Sequence, residues 1–206
     1  MRVGILGGTF NPPHLAHLVC AQEAHAQLGL DRVLLMPAGE PPHKRVAPGD
    51  PSPEQRFELC RLAAAGDERL EVSRLELERP GRSYTADTLR LLRERRPDDE
   101  LVFIVGGDMA ASFPSWHEPE AVLALATLAV AERRGTVRAA IERALAPLAG
   151  AERVAYFDMP RIDISSSELR ARVAQGRPIR YLVPDAVAEA IAAEGLYHGV
   201  RGEVTT

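Results

Sequence analysis

The sequence predicts a doubly wound, Rossmann-like α/β fold, in which a parallel sheet carries helices on both of its faces. Two observations indicate this fold. Short runs rich in branched apolar residues alternate with longer helical patterns along the chain. Several of the short runs, such as residues 33–36 and 101–105, are apolar at every position, which is typical of strands covered by helices on both faces.

Six strands are predicted, at residues 2–6, 32–37, 70–72, 101–105, 127–131 and 154–157. Seven helices are predicted, at residues 17–28, 53–65, 85–95, 118–125, 136–145, 166–175 and 184–193. The second helix has the clearest start, because Ser52, Pro53 and Gln55 form a capping box with proline at the first helical position. Residues 38–52, rich in proline and glycine, are predicted to form a loop beyond the carboxyl end of the second strand.

Length, composition and charge narrow the class of protein. A chain of 206 residues, 46% of them hydrophobic and 26% charged, is expected to form a single domain over residues 1–206, with a C-terminal helical part at about 164–198. The net charge of -4 argues against a general nucleic-acid-binding protein. No apolar run approaches the roughly 18 residues of a membrane span and no signal peptide is evident, so we expect a cytoplasmic protein with no membrane partner. Cys20 and Cys60 lie in helical patterns and are predicted to be reduced packing groups.

Residues 7–17, GGTFNPPHLAH, follow the first strand, at the edge where open parallel sheets bind their ligands. Paired glycines let the backbone approach a phosphate closely, and the start of the next helix offers free N–H groups. His14 and His17 share one face if that helix begins at or before His14, so both could contact one polyphosphate. Two alternatives stay open: a turn with two surface histidines, and a metal site that also uses Cys20.

Other polar residues also follow predicted strands. Gly-Gly-Asp at residues 106–108 is predicted to be a flexible turn that brings the Asp108 carboxylate to the crevice, with helix capping as the alternative. Trp116 is the only tryptophan and lies in a predicted loop instead of a periodic core pattern. Ser165 and Glu168 have capping-box spacing, and the same helix start can present hydroxyls, amides and Arg170 to a phosphate.

Two of these segments resemble signatures of the nucleotidylyltransferase superfamily. Residues 7–17 resemble Gly-Gly-x-Phe-[Asp/Asn]-Pro-x-His-x-Gly-His, and residues 164–170, ISSSELR, resemble Ile-Ser-Ser-Thr-x-Ile-Arg with conservative changes at Ser167 and Leu169. Ala16 stands where the family has glycine, and we expect its methyl group to be tolerated, although it could narrow the phosphate site. Over nearly the whole chain, including residues 37–44, 83–85, 104–116 and 181–197, the sequence resembles bacterial nicotinate-nucleotide adenylyltransferases.

The resemblance implies an enzyme that transfers the adenylyl group of ATP to nicotinate mononucleotide, with Mg²⁺ held mainly by phosphates and no protein metal site. The implied catalytic residues are His14, His17, Lys44 and Arg170. The implied ATP site comprises Gly7, Gly8, Thr9, Phe10, His17, Gly106, Asp108, Ile164, Ser165, Ser166 and Arg170. The implied pyridine-nucleotide site comprises Thr9, His14, Lys44, Thr85, Trp116 and His117, with Trp116 stacking on the pyridine ring. Whether the chain forms a homo-oligomer stays open.

Several alternatives stay open beside this interpretation. Lys44 could be a solvated loop charge, and His117 stands where the family often has tyrosine. A sister adenylyltransferase for phosphopantetheine would share both signatures, although Trp116 and the Ser-Tyr-Thr run at 83–85 favour a flat aromatic acceptor. Nicotinamide mononucleotide is a further candidate acceptor. A cytidylyltransferase is disfavoured on overall resemblance alone, and an inactive nucleotide-binding sensor would be favoured if Ala16 blocked the site.

Overall fold

Six parallel strands form one sheet in the part of the chain that the computed structural model describes, which is residues 1–42, 49–132 and 138–198. The strands are β1 (Arg2–Gly8), β2 (Arg32–Pro37), β3 (Leu70–Val72), β4 (Glu100–Gly106), β5 (Thr127–Glu132) and β6 (Val154–Asp158). Neighbouring strands are parallel throughout, in the order β3-β2-β1-β4-β5-β6. The predicted strands and the predicted fold class are therefore confirmed, and four strands are one or two residues longer than predicted.

The helices follow the predicted pattern closely. They are α1 (Leu15–Leu28), α2 (Pro53–Ala64), α3 (Thr85–Arg95), α4 (Gly107–Ser112), α5 (Pro119–Leu125), α6 (Arg138–Leu145), α7 (Ser166–Ala174) and α8 (Asp185–Ala193). The predicted capping box of α2 is confirmed, with Ser52 and Gln55 exchanging hydrogen bonds of 3.0 and 3.2 Å. The predicted start of the helix that corresponds to α6, Thr136, lies outside the described residues. Among the described helices, none combines the length and the apolar character that a membrane crossing requires.

The prediction of a flexible turn at 106–108 is wrong, as is that of a loop throughout 113–117. Helix α4 begins at Gly107, directly after β4, and a 3-10 helix follows at Phe113–Ser115. Glycine, serine and proline give this stretch a low intrinsic helix propensity. Ala110 and Phe113 are fully buried, so packing against the sheet stabilises helices that local sequence does not favour.

Side chains of alternate strand residues build one core on each face of the sheet. The first core joins Val3, Ile5, Phe103 and their neighbours to α3, α4, α5 and α6. The second core joins Val33, Leu35 and their neighbours to α1 and α2, and Cys20 and Cys60 are buried packing groups within it, as predicted. A third cluster packs α7 and α8 against α2 through Leu59, Ala63, Leu169, Val173, Val187 and Ile191.

The strand order reverses between β1 and β4, which lie side by side at the middle of the sheet. After β1 the chain enters α1 on the second core, whereas after β4 it enters α4 on the first core. The carboxyl ends of these two strands therefore diverge and leave a crevice between them, which is where doubly wound sheets bind nucleotides.

Candidate active site

The turn after β1 approaches the crevice with exposed glycine backbone and a buried aromatic anchor. Gly7 is exposed and Gly8 is half-buried, whereas Phe10 is 2% exposed and has a φ of 48°. The Phe10 ring meets the His17 ring edge-on, with 4.9 Å between centroids. Phe10 was predicted to help bind ATP, and because its ring is part of the second core, its backbone is what it can offer to a nucleotide.

His14 and His17 stand together at the start of α1. The helix begins at Leu15, two residues earlier than predicted, and His14 is its N-cap. The two imidazole rings are stacked, with centroids 3.7 Å apart and planes inclined by 24°. The backbone N–H of His14 donates to Nδ1 of the His17 ring at 3.2 Å. This bond fixes the His17 ring relative to the helix start, and the His14 ring is stacked on it. The alternative of two unrelated surface histidines is therefore wrong, since His14 is 5% exposed and stacked on its partner.

The departure from the family signature lies away from the crevice. Ala16 is 4% exposed and belongs to the second core. Its methyl group is therefore covered by protein. This burial agrees with the expectation that alanine is tolerated, which stays a prediction.

Helix α7 brings the second signature onto the first. Ser166 Oγ donates to the carbonyl of Pro12 at 2.9 Å, and Arg170 Nη1 donates to the carbonyl of Asn11 at 2.8 Å. Ser165 caps the helix by accepting the Glu168 N–H at 3.2 Å, as its spacing predicted. Capping and contact with the site coexist here, because the capped end of α7 is the end that meets the turn. Residues 154 and 159 positions apart in sequence thus meet at one turn.

Three residues that hold this turn, Asp50, Tyr197 and Arg56, were not predicted from the sequence. Asn11 Nδ2 donates to Asp50 Oδ2 at 2.9 Å, and the Tyr197 hydroxyl donates to Asn11 Oδ1 at 2.8 Å. Burial raises the pKa of the Tyr197 phenol, which keeps it a donor. Arg56 is fully buried and donates from Nη1 to the carbonyl of Thr9 at 2.8 Å. Arginine at an otherwise apolar position of α2 was the available sequence signal.

On the other side of the crevice, β4 ends in Gly106 and the chain continues at once into α4. Asp108 lies exposed in the first turn of this helix, and Gly106 is its N-cap. The capping alternative for Asp108 is therefore wrong. The carboxylate remains accessible at the carboxyl edge of β4, beside the turn that follows β1.

Two of the predicted pyridine-nucleotide residues, His117 and Trp116, lie against other aromatic rings. Tyr84, the residue before Thr85, lies with its ring centroid 4.3 Å from that of His117. His117 Nε2 is 3.1 Å from the Glu118 carboxylate, which also pairs with Arg90. Tyr84 and His117 are thus neighbours in space although they are 33 residues apart in sequence. His117 and Glu118 are both exposed.

Trp116 packs partly on the core and is partly accessible. Its ring centroid is 5.2 Å from that of Phe113 and 6.1 Å from that of Phe103, so part of it packs on the first core. It is nevertheless only half-buried, which leaves part of the ring accessible at the edge of the sheet. The prediction that Trp116 lies outside the periodic core is therefore correct only for that accessible part.

Three predicted residues and the metal alternative remain. Thr9 and Ile164 are half-buried at the turn after β1 and just before α7, and Ile164 packs on the second core. Lys44 lies outside the described residues. The alternative of a metal site at His14, His17 and Cys20 has no support, since no group of three or more His, Cys, Asp or Glu side chains within residues 1–42, 49–132 and 138–198 is placed to hold a metal ion.

Known proteins similar to this chain point to one enzyme class. A family model described as cytidylyltransferase-like matches residues 5–172. A protein from a Roseiflexus species, named probable nicotinate-nucleotide adenylyltransferase, is 49% identical over 201 residues, which are 95% of this chain and 97% of that protein. A protein of the same name from Thermus thermophilus is 46% identical over 198 residues, 96% of this chain and 100% of that protein.

Solved structures agree on the fold. The nicotinic acid mononucleotide adenylyltransferase of Plasmodium falciparum complexed with NaAD has a TM-score of 0.78, with 18% identity and coverage of 95% of this chain and 97% of that one. The same protein complexed with APC has a TM-score of 0.75. From the sequence identities over nearly full length, this chain belongs to the nicotinate-nucleotide adenylyltransferases, within the cytidylyltransferase-like proteins.

Proposed function

We propose that this protein transfers the adenylyl group of ATP to nicotinate mononucleotide, forming nicotinate adenine dinucleotide and releasing pyrophosphate in NAD biosynthesis. The proposal depends mainly on one observation, which is that both signatures meet at the crevice between β1 and β4, where the strand order reverses. It is supported by relatives that match over nearly the full length of the chain and bear this enzyme name. The stacked histidines, the start of α1 and the start of α7 all adjoin one turn. Helix starts and cationic side chains suit a polyphosphate.

The chemistry that this arrangement supports is an in-line displacement at the α-phosphorus of ATP. A phosphate oxygen of the mononucleotide attacks, and pyrophosphate leaves. Because that oxygen is already ionised at neutral pH, neither a general base nor a covalent intermediate is needed. Catalysis then depends on positioning the reactants and on stabilising charge on the transferring and leaving phosphates.

We assign the charge stabilisation to His14, His17, Lys44 and Arg170. His14 and His17 are held by stacking and by the helix start, so they need little rearrangement when phosphate charge develops. Arg170 spans from α7 to the turn and has guanidinium donors beyond the bond to Asn11 with which to meet an anion. The glycine backbone at residues 7–8, Thr9 and Ser166 would orient ATP, and Asp108 would accept from ribose hydroxyls.

Mg²⁺ is proposed to arrive with ATP and to be held mainly by phosphate oxygens and water, since this ion prefers oxygen ligands and retains several waters. The side chains of the turn, imidazole and guanidinium, suit phosphate oxygens better than they suit Mg²⁺. Residues 1–206 are proposed to work as one domain, because α7 and α8 pack on α2 and α7 supplies half of the phosphate site. We also propose that the protein is located in the cytoplasm.

The acceptor is assigned from the other end of the crevice. Trp116 offers part of an aromatic ring, and the ring of Tyr84, the residue before Thr85, lies against His117. Stacking suits a pyridine ring, and hydroxyl and amide donors suit its carboxylate. These features favour nicotinate mononucleotide over phosphopantetheine, which has no flat ring. The alternative of an inactive nucleotide-binding sensor required Ala16 to block the site. It is disfavoured, because the Ala16 methyl group is covered by protein.

The test is a product analysis by mass spectrometry. Purified protein is incubated with ATP, Mg²⁺ and one of three acceptors: nicotinate mononucleotide, nicotinamide mononucleotide or phosphopantetheine. A parallel series replaces ATP by CTP. We expect nicotinate adenine dinucleotide, with one pyrophosphate for each dinucleotide. Dephospho-coenzyme A as the main product, a cytidylyl product, or no product from any acceptor would contradict the proposal.

A further inference from the structure

Arg56 is a cation without exposed surface in the second turn of α2. Its Nη1 donates to the carbonyl of Thr9 at 2.8 Å and its Nη2 donates to the carbonyl of Gly39 at 3.1 Å. Burial lowers the pKa of this guanidinium, with the Cys60, Tyr197, Asp50 and Glu76 side chains opposing the shift. Burying a charge whose hydrogen bonds go to neutral carbonyls is costly, so such a residue is a poor device for stability alone.

The two carbonyls belong to different segments of the crevice. Thr9 lies in the turn after β1, where both signatures meet, and Gly39 lies just beyond the end of β2. A single planar guanidinium therefore sets the separation between these segments. The guanidinium group is planar and holds its donors in a fixed geometry. It therefore fixes the distance between the Thr9 and Gly39 carbonyls more closely than a flexible lysine side chain would.

Hydrogen bonds connect Gly39 to the segment before α3, on the proposed acceptor side of the crevice. Its N–H donates to Ser83 Oγ at 3.0 Å, and the Ser83 N–H donates to the Glu40 carbonyl at 2.8 Å. A Cβ on residue 39 would come 2.5 Å from the backbone oxygen of Glu76, so only glycine fits this close approach. Ser83 directly precedes Tyr84 and Thr85, which begin α3.

Glu76 also holds the segment around Ser83 and the start of α3. Its carboxylate accepts the Thr88 hydroxyl at 2.6 Å and the Ser83 hydroxyl, and it is buried. Ser83 thereby bonds both to Gly39 and to an anchored acid, and Thr88 ties the first turns of α3 to that acid. The connection from Thr9 through Arg56, Gly39 and Ser83 to α3 is continuous in hydrogen bonds.

We propose that Arg56 is a positioning residue that sets the distance between the turn holding the transferring phosphate and the segment holding the pyridine ring. The inference rests on the proposed function, because it needs two substrates bound at the two ends of the crevice. Arg56 touches neither substrate. It acts through the Thr9 and Gly39 carbonyls, and its loss would displace the acceptor phosphate from its line of attack.

The test compares Arg56→Met, Arg56→Lys, Ser83→Ala and the double variant R56K/S83A with the wild type. The readouts are kcat and the KM for each substrate, at a temperature where urea unfolding shows every variant folded. Leu59→Val is the matched control, since Leu59 is buried on the same helix but belongs to the cluster of α2, α7 and α8. This control loses packing without touching the connection.

We expect Arg56→Met to lower kcat by about 10²-fold, the scale of a misplacement of roughly 1 Å, and Arg56→Lys to lower it less. Ser83→Ala should raise the KM for nicotinate mononucleotide and leave that for ATP unchanged. The double variant should lose less than the product of the two single losses, because both changes break one connection.

Wild-type kcat and KM values in folded Arg56→Met would overturn the proposal, as would a fall in kcat equal to that of Leu59→Val. If Arg56→Met does not fold, the same criteria apply to Arg56→Lys and Ser83→Ala, and strictly multiplicative losses in the double variant count against the proposal. A wild-type protein that forms no nicotinate adenine dinucleotide would instead refute the proposed function, and this shows before any variant is measured.

Discussion

The two ends of the crevice are built in different ways. At the phosphate end, Asn11 and His14 are each 5% exposed, and hydrogen bonds from α2, α7 and the C-terminal segment converge on one turn. At the acceptor end, Trp116 is half-buried, His117 is exposed, and the contacts are ring packing and ion pairs. A preorganised site stabilises charge without rearranging, whereas an exposed one can adapt to its ligand. With the proposed function, we expect the first end to set the rate and the second to select the acceptor.

The largest effect is expected at the phosphate end. His17→Ala should lower kcat by at least about 10²-fold, the scale of losing one donor aimed at developing charge. The KM for nicotinate mononucleotide should change much less. Steady-state kinetics with circular dichroism as a folding check measures this, and His25→Ala, in the last turn of the same helix, is the control. A folded His17→Ala protein with near-normal turnover would remove His17 from the mechanism.

Trp116→Ala probes the acceptor end. If part of the ring stacks on the pyridine, its loss should raise the KM for nicotinate mononucleotide by roughly 5- to 150-fold and leave the KM for ATP nearly unchanged. The loss of folding stability should fall below the roughly 3 to 5 kcal/mol typical of a fully buried aromatic residue, because the ring is half-exposed. Trp116→Phe should retain most of the binding. Equal rises in both KM values would mean that the ring serves the first core alone.

A smaller effect is expected from the acceptor itself. Donors around Thr85 and His117 should favour nicotinate over nicotinamide mononucleotide, because a charge-assisted hydrogen bond contributes roughly 1.5 to 3 kcal/mol. This corresponds to about tenfold or more in kcat/KM. Competition between the two mononucleotides in one reaction, followed by mass, gives the ratio directly. Equal efficiency would point to a dual-specificity enzyme and weaken the role given to this end of the crevice.

The smallest effect concerns the buried acid beneath the acceptor segment. Burial raises the pKa of Glu76 above its ordinary value of 4.5, although hydrogen bonds from Thr88 and Ser83 oppose the shift. The protonated form is therefore favoured by folding, so this contribution to stability is complete below about pH 4.5 and is lost as pH rises through the raised pKa. Glu76→Gln should gain stability relative to the wild type over that range, by at most about 1.4 kcal/mol for each pH unit.

Urea unfolding from pH 5 to pH 8 measures that difference. Glu58→Gln is a suitable control, because Glu58 is an exposed carboxylate on α2 that pairs with Arg61. A stability difference between Glu76→Gln and the wild type that does not vary with pH would show that Glu76 is ionised in both the folded and the unfolded state across this range.

Much of the fold was predictable from local pattern, and the exceptions have a common cause. The strand at Leu101–Val105 is apolar at every position, and Ser52 with Gln55 marks a helix start, so both follow from nearby residues alone. Helix α4 was missed because it depends on Ala110 reaching the first core. The site residues around His14 were predictable as a motif, whereas Arg56 and Tyr197 were not, because they act across distances in sequence that no local pattern spans.

The sequence by itself determined the order along the chain of the six strands and of every helix but α4, the two signatures and the resemblance to an enzyme family, because periodicity and short motifs are properties of neighbouring residues. Only the tertiary structure decided that His14 stacks on His17, that Arg170 bonds to the Asn11 carbonyl and that the Ala16 methyl group is buried. The physical reason is that buried polar groups need partners, and a folded chain finds them wherever packing brings donors and acceptors together. That is why an arginine on α2 could become the link between the two ends of the crevice.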